Sequence, residues 1–182
     1  LRKKGISCLN VSEWTGFPPL LEGRVKTLHP LVFASILARD DHEKDQDDIS
    51  HYELKPFDAV LVELYPFEKT LRIGAEENEL IEKIDIGGVS LIRAAAKNYY
   101  HVLVVSSPEQ LLSFKEILLR GYTTLQERKK FATEAFFRTM IYDANIYKWF
   151  SELPIDPMVL SGDITSLRYG ENPDQEGFFV GD

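Results

Sequence analysis

Two short, almost continuous hydrophobic runs constrain the fold of this chain more than any other feature of the sequence. Residues 57–64 contain the run AVLV, and residues 101–106 contain VLVV. Such runs are typical of parallel strands covered on both faces, because polar and apolar residues alternate only where one face meets water. Longer helical patterns lie between them. The sequence therefore predicts an α/β fold in three layers, with a mostly parallel sheet and helices on both of its faces.

Periodicity and capping signals predict the other elements. Strands are predicted at residues 7–11 and 32–37, and helices at residues 77–84, 89–98, 109–119 and 125–150. The last helix repeats large side chains at steps of three and four residues, which gives it one side that faces the core. Residues 39–48 are rich in charge and have no apolar partner, so they are predicted to form a solvated loop.

Composition limits the classes of partner. The chain has 21 basic and 29 acidic side chains and a formal net charge of −8, which disfavours nucleic acid and anionic membranes. A single cysteine, Cys8, excludes an internal disulfide and a cysteine-rich metal site. No apolar run approaches the roughly 18 residues of a membrane span. We expect a cytoplasmic protein that binds a small molecule and no metal.

The two ends of the sequence suggest boundaries. The opening residues LRKKG are typical of a last helical turn followed by a glycine cap, so we expect N-terminal strands of the fold to precede Leu1. Residues 161–182 are rich in Gly, Pro, Asn and Asp and have little apolar periodicity. The predicted division is one domain at residues 1–155, followed at residues 156–182 by a linker and the start of a second domain.

Ligands of open parallel sheets bind beyond the carboxyl ends of the strands, which directs attention to three segments. The segment RVKTLHP, at residues 24–30, contains two cations, a hydroxyl and a proline that is excluded from helix interiors. This composition is compatible with an anion-binding site or with a basic surface turn. In ELYPF, at residues 63–67, alternation places Glu63 and Tyr65 on one side. That pair can hold a polar heterocycle or relay a proton, and it is equally compatible with the rim of a core.

The third segment, DIGGVSLIRAAAKN at residues 85–98, opens a helix with two glycines. Bare backbone at a helix N-terminus lets an anion or a polarised carbonyl approach the free N–H groups. Asp85 stands at this mouth, and Ser90, Arg93 and Lys97 share one helix face. In the alternative interpretation, Asp85 only caps the helix and the two cations are solvent charges.

The order of these segments resembles the IMP cyclohydrolase domain of the bifunctional AICAR formyltransferase/IMP cyclohydrolase family. The resemblance rests on TGFP (15–18), LEGRVKTLHP (21–30), ILAR (36–39), LYPFE (64–68), IDIGG (84–88) and RAAAKN (93–98). LRYGENP, at residues 167–173, is similar to the segment leading into the family's formyltransferase domain. The resemblance implies a methylglyoxal-synthase-like fold. It also implies a reaction in which 5-formamido-AICAR loses water and becomes IMP.

The same resemblance implies roles for individual residues. It places Lys26, Tyr65, Asp85 and Lys97 at catalytic positions. It places seven residues at positions that bind substrate: Arg24, Thr27, Leu28, Glu63, Ile86, Gly87 and Gly88. Asp85 would accept or hold a proton of the carboxamide nitrogen, the two lysines would oppose charge on the formyl oxygen, and Tyr65 would protonate the departing water. Exchanging the roles of Asp85 and Tyr65 fits equally well.

The resemblance further implies a homodimer, a cyclohydrolase step without cofactor or metal, and 10-formyltetrahydrofolate as the cofactor of the formyltransferase domain. The chain departs from the family pattern at several points. The family's phosphate-binding loops would precede Leu1, Ala34 and Ser35 replace a pair of glycines, Glu63 replaces Asn or Asp, and Asp174 replaces His. Two other functions therefore stay open: a non-catalytic purine-nucleotide-binding or dimerising relic, and a lyase of the methylglyoxal synthase type.

Overall fold

The computed structural model describes residues 2–151, 164–167 and 177–180 of the chain. The described part is mostly helical, with a few short strands. The helices are α1 (Val11–Thr15), α2 (Pro30–Leu37), α3 (Glu43–His51), α4 (Phe67–Arg72), α5 (Glu77–Ile81), α6 (Gly87–Lys97), α7 (Leu111–Arg120) and α8 (Leu125–Ser151). The strands are β1 (Ala59–Leu61), β2 (Leu103–Val105), β3 (Ile164–Leu167) and β4 (Gly177–Val180).

The two hydrophobic runs form the centre of the fold. β1 and β2 pair in parallel, with Ala59 opposite Leu103 and Leu61 opposite Val105. Every residue of β2 is buried, whereas Leu61 of β1 is 49% exposed. β2 is thus the inner strand and β1 the outer strand of the pair. Both strands, and their parallel arrangement, are confirmed; β3 and β4 form a separate antiparallel pair.

Helices α6 and α8 pack on each other and on β2, and α6 also contacts β1 and α2. The small side chains of Ala94, Ala95 and Ala96 are buried in α6, which lets its neighbours approach closely. Ile92, on the same helix, is fully buried, and burial of such a side chain stabilises the fold by about 2–3 kcal/mol. α6 is therefore the central helix, and what its two ends contact decides how the site is built.

The C-terminal end of α6 is fastened to α2 by one buried side chain. The Asn98 amide nitrogen donates hydrogen bonds to the carbonyls of Ile36 (2.8 Å) and Ala38 (2.9 Å). These carbonyls lie at the end of α2, where helical partners are lacking. Asn98 therefore stabilises the junction of two helices.

Two predicted strands are wrong. Residues 32–37 lie inside α2, which begins because Pro30 occupies its first turn and the His29 Nδ1 accepts a hydrogen bond from the Leu31 amide (3.2 Å). Ala34 and Ser35 thus sit on a helix. In residues 7–11, Val11 starts α1, which Asn10 caps. A short apolar run has no periodicity that separates helix from strand, and in both cases the capping signals were the better guide.

The charged segment also differs from its prediction as a loop, since α3 occupies Glu43–His51. α3 has no buried residue, so the expectation that this segment is solvated holds while its conformation is helical. The four predicted helices are confirmed with shifted ends. Among the described residues, no helix combines the length and the apolar character that crossing a bilayer requires. Residues 156–163 and Asp174 lie outside the described residues, so the division at residue 155 stays a prediction.

Candidate functional site

A tight turn at residues 20–25 leads into the segment that carries the two cations Arg24 and Lys26. The backbones of Leu20 and Val25 exchange two hydrogen bonds, of 2.9 and 3.3 Å. Between them, Leu21 and Glu22 adopt φ values of +51° and +56°, which side-chain-bearing residues rarely do. Such strain persists only where the surrounding structure holds it, and it is frequent at functional sites. Beyond this turn Lys26 projects as an exposed side chain.

Arg24 leaves the same turn towards the segment that precedes α6. Its guanidinium lies 3.2 Å from a carboxylate oxygen of Glu82, and both side chains are largely exposed. An exposed ion pair of this kind contributes little to stability, so a ligand can take over the guanidinium at little cost. Lys26 has no ion pair with any described residue.

Thr27 joins the first predicted segment to the third. A Cβ placed on Gly87 would lie 2.8 Å from the Thr27 hydroxyl oxygen, closer than such atoms approach in proteins. The glycine at position 87 therefore allows the threonine to contact the backbone that opens α6. The sequence placed both residues among the substrate-binding positions, and in the structure they touch.

Asp85 closes the first turn of α6. Its Oδ1 accepts a hydrogen bond of 2.6 Å from the Gly88 amide, and any side chain at position 88 would overlap the carboxylate. The half-buried carboxylate sits at the positive end of the helix dipole. Asp85 is thus a cap, as in the alternative interpretation. Among the described residues, its second oxygen, Oδ2, accepts no hydrogen bond.

Tyr142 of α8 holds the backbone that carries Asp85. Its hydroxyl accepts a hydrogen bond from the Asp85 amide (2.9 Å) and donates one to the Lys83 carbonyl (2.5 Å). Burial raises the pKa of this hydroxyl above its usual value; the Asp85 amide opposes the shift, and the charges of Asp85, Asp143 and Tyr65 add to it. Sequence reasoning missed Tyr142. The available signal was a hydroxyl on the core-facing side of α8, where a buried polar atom needs a partner.

The segment after β1 presents its two polar side chains outwards. Glu63 and Tyr65 are exposed, and Leu64 between them is buried. Phe67 is buried directly behind and meets the ring of Tyr142 edge to face, with ring centroids 6.4 Å apart. Tyr142 therefore lies between the segment that carries Tyr65 and the segment that carries Asp85. Leu28 and Ile86, the remaining predicted contacts, are exposed.

Lys97 lies apart from these groups. It is exposed in the last turn of α6, and ten residues of helical rise place it about 15 Å from Gly87. The expected row of cations is divided, because the Arg93 guanidinium lies over the ring of Phe136, 5.5 Å from its centroid. The structure thus gathers Thr27, Asp85 and the two glycines at one end of α6 and leaves Lys97 at the other.

Two hollows adjoin this end of α6. One, of about 400 Å³, is lined mainly by apolar residues such as Trp14, Phe57 and Leu91; of the predicted site residues it includes only Thr27. The other, of about 350 Å³, is an open depression bordered by Leu28 and Ser90, among others. None of the four predicted catalytic residues lines either hollow.

The described part of the chain holds one group of side chains with the composition of a metal site, Asp40, Asp41 and His101. The two ring nitrogens of His101 face different carboxylates, at 2.9 Å from Asp40 and 3.5 Å from Asp41. Both carboxylates are exposed, and none of the three residues belongs to the predicted site.

Comparison with known families divides the chain between two models. Residues 1–90 match a family described as an MGS-like domain, and residues 95–182 match one described as the AICARFT/IMPCHase bienzyme. The boundary falls inside α6, which is one continuous helix. The matches confirm the α/β fold class and the resemblance that the motifs indicated.

Individual proteins agree with the family models. The Bifunctional purine biosynthesis protein PurH of Aquifex aeolicus is 49% identical over 98% of this chain, and the protein of that name from Bacteroides thetaiotaomicron is 46% identical over 97%. The chain spans 36% of the length of each. The crystal structure of ForH matches with a TM-score of 0.67 at 30% identity, over 82% of this chain and 78% of that one.

Proposed function

We propose that this chain, which belongs to the AICARFT/IMPCHase bienzyme family, performs the IMP cyclohydrolase step: 5-formamido-AICAR loses water and closes the second ring of the purine in IMP. The names of its relatives, which are bifunctional purine biosynthesis proteins, support this proposal. Identity of 46–49% over almost the whole chain makes a shared reaction the simplest explanation of the shared motifs.

One structural observation carries the proposal. Asp85 is held against the Gly88 amide at the N-terminus of α6, and Thr27, which comes from a segment almost 60 residues earlier, lies against Gly87. Both reacting groups are on one imidazole ring, so the protein has to orient them and move protons between them. The fixed carboxylate of Asp85 and the exposed side chains of Lys26 and Tyr65 supply the residue types that this chemistry needs.

The proposed steps conserve atoms and charge. The carboxamide nitrogen attacks the formyl carbon, and Asp85 accepts the proton that the nitrogen loses. The Lys26 ammonium opposes the negative charge that develops on the formyl oxygen. Tyr65 donates a proton to that oxygen, which gives a hydroxyl on the closed ring. Asp85 then returns its proton to the hydroxyl, which leaves as water, while the nitrogen that carried the formyl group loses its proton to the Tyr65 phenolate and the ring double bond forms. Asp85 and Tyr65 can exchange their roles as base and acid without changing the balance.

Seven residues are proposed to bind the nucleotide: Arg24, Thr27, Leu28, Glu63, Ile86, Gly87 and Gly88. The bare backbone of the two glycines lets a polar group of the substrate approach the first turn of α6. Arg24 is free to turn from Glu82 to the substrate, because their ion pair is exposed and weak. Glu63 lies next to Tyr65 at the end of β1 and is proposed to contact the base.

Lys97 is too far from Asp85 for both side chains to contact the same group of the substrate. The helical rise places the backbone of Lys97 about 15 Å from Gly87. Helical side chains lean towards the N-terminus, but this lean is too short for Lys97 to contact a formyl group that Asp85 also contacts. A unit charge at about 10 Å in a watery setting contributes on the order of 0.4 kcal/mol. We therefore propose that Lys97 acts on the reaction through the electrostatic field of its charge and not through contact with the formyl oxygen.

For the complete protein we propose the second activity of the family, formyl transfer with 10-formyltetrahydrofolate, outside residues 1–155. The cyclohydrolase step itself is proposed to need neither cofactor nor metal. A homodimer and a cytoplasmic location fit a family of enzymes that act on charged nucleotides. Residues 156–182 are proposed to form a linker and the start of the formyltransferase domain.

Cyclisation of 5-formamido-AICAR to IMP, followed by ultraviolet absorbance, tests the proposal on the complete gene product. Lys26→Ala is expected to abolish turnover, whereas Lys44→Ala, a change of the same kind on the exposed helix α3, is expected to have no effect. Binding of IMP without turnover by the unaltered protein would favour the nucleotide-binding relic. Release of inorganic phosphate from dihydroxyacetone phosphate would favour the lyase.

A further inference from the structure

The hydroxyl of Tyr142 holds the two peptide groups that flank Ile84. It donates to the carbonyl of Lys83 at 2.5 Å and accepts from the amide of Asp85 at 2.9 Å, across 59 and 57 residues of sequence. The backbone here lies between the end of α5 at Ile81 and the start of α6 at Gly87, outside any helix or strand. Its conformation therefore depends on tertiary contacts such as this one.

Tyr142 is itself held rigidly. Only 9% of the residue is exposed, and its ring packs edge to face on Phe67, which in turn packs on Trp149. Phe67 begins α4 two residues after Tyr65. One side chain of α8 thus connects the backbone of Asp85 to the segment of Tyr65, although none of the sequence motifs contains it.

We infer that Tyr142 is a positioning residue for Asp85: its hydroxyl fixes the segment before α6 so that the Asp85 carboxylate stays on the Gly88 amide with its second oxygen free. The inference rests on the proposed cyclohydrolase function and deepens it. Tyr142 touches neither substrate nor reacting atoms in this scheme. Its effect passes through the backbone of Asp85 alone.

Tyr142→Phe tests the inference, because it removes the hydroxyl and leaves the ring that packs on Phe67. We expect kcat for cyclisation to fall about tenfold, with KM within a factor of two, and the acidic limb of the kcat–pH profile to shift. Tyr147→Phe is the matched control: it makes the same change on the same helix at an exposed residue, and kcat is expected to be unchanged.

A double variant separates positioning from a general loss of stability. If Tyr142 acts through Asp85, adding Tyr142→Phe to Asp85→Asn lowers the residual turnover by less than twofold, since the affected group is already gone. A tenfold loss in both backgrounds would overturn the inference. So would a lower melting temperature of Tyr142→Phe with kcat and its pH profile unchanged.

A readout that needs no turnover distinguishes failure of the inference from failure of the proposed function. Amide hydrogen exchange is measured on peptides that cover residues 83–88, in the unaltered protein and in Tyr142→Phe. We expect exchange in this segment to rise at least tenfold in the variant and to stay unchanged in Tyr147→Phe. Unchanged exchange in Tyr142→Phe would overturn the positioning role, whatever the enzyme assay gives. Raised exchange in a protein without cyclisation would contradict only the proposed reaction.

Discussion

The two ends of α6 carry residues of the same sequence resemblance, yet they are built for different tasks. At the N-terminal end the backbone is bare, Asp85 offers one free carboxylate oxygen, and Thr27 approaches from another segment. At the C-terminal end Asn98 is buried and both of its hydrogen bonds go to carbonyls at the end of α2. Lys97, one residue earlier, is exposed and distant from Asp85.

The difference indicates that one motif combines residues that hold neighbouring elements together with residues that are proposed to act in the reaction. In the motif that begins at residue 93, Asn98 fastens two helices. In the motif that ends at residue 30, His29 and Pro30 start α2, whereas Lys26 and Thr27 remain exposed or beside the site. Substitutions at the two ends of α6 should therefore separate activity from stability, with the larger effects on turnover at the N-terminal end.

The largest expected effect is that of Asp85→Asn on turnover. Asparagine keeps an oxygen that accepts the Gly88 amide, so the cap survives while the proton acceptor is lost. We expect kcat to fall about 10³-fold, roughly 4 kcal/mol in the activation free energy, which is typical of a lost general acid or base. The melting temperature should change by no more than a few degrees.

Steady-state cyclisation kinetics and thermal unfolding of the same sample check this prediction. Asp143→Asn, the same substitution one residue from Tyr142 on α8, serves as the control. Near-normal turnover in Asp85→Asn would remove the carboxylate from the reaction and leave it only the capping role.

Asn98→Ala is the converse substitution at the other end of the helix. It leaves two carbonyls without their buried partner, and each lost hydrogen bond of this kind costs about 1–1.5 kcal/mol, so the free energy of unfolding should fall by about 2–3 kcal/mol. Below the unfolding transition kcat should stay within twofold of normal. Denaturant unfolding measures the free energy of unfolding, and kinetics at low temperature measure kcat. A large loss of kcat in folded Asn98→Ala would contradict the proposed difference between the two ends of α6.

Gly87→Ala sharpens the contrast at the N-terminal end. The added methyl meets the Thr27 hydroxyl at 2.8 Å, so one of the two segments has to move. We expect kcat/KM to fall about tenfold, or about 1.4 kcal/mol, because a small displacement of binding groups is costly to catalysis. Adding Thr27→Ala to Gly87→Ala removes the clash but also a proposed binding group.

The loss of kcat/KM in the double variant is therefore compared with the sum of the losses in the two single variants. If the two residues touch as the structure has them, the double variant loses no more than Thr27→Ala alone. Fully additive losses would mean that Gly87 matters for a reason other than this contact.

Sequence reasoning predicted much of this architecture because the physical signals were local. The hydrophobic runs of β1 and β2 and the two glycines that open α6 are properties of neighbouring residues. Residues 7–11 and 32–37 were misassigned because a segment of five or six residues is too short to show whether its period is that of a helix or of a strand. Tyr142 escaped notice because its role depends on a contact across 57 residues. The separation of Lys97 from Asp85 follows from helical rise, which becomes informative only once α6 is known to be unbroken.

Lys97→Ala has the smallest expected effect. It tests whether an exposed residue at the C-terminal end of α6 takes part in the reaction. The resemblance gives Lys97 a catalytic position, whereas α6 places it about 15 Å from the end that carries Asp85. If it acts only through its field, a contribution on the order of 0.4 kcal/mol corresponds to about a twofold loss of kcat, and added salt should reduce even that.

Lys148→Ala, in the last turn of α8, is the control for loss of one surface charge. A 100-fold loss specific to Lys97→Ala would show that this lysine contacts substrate, which would then have to reach it from a second copy of the chain or by spanning the length of α6.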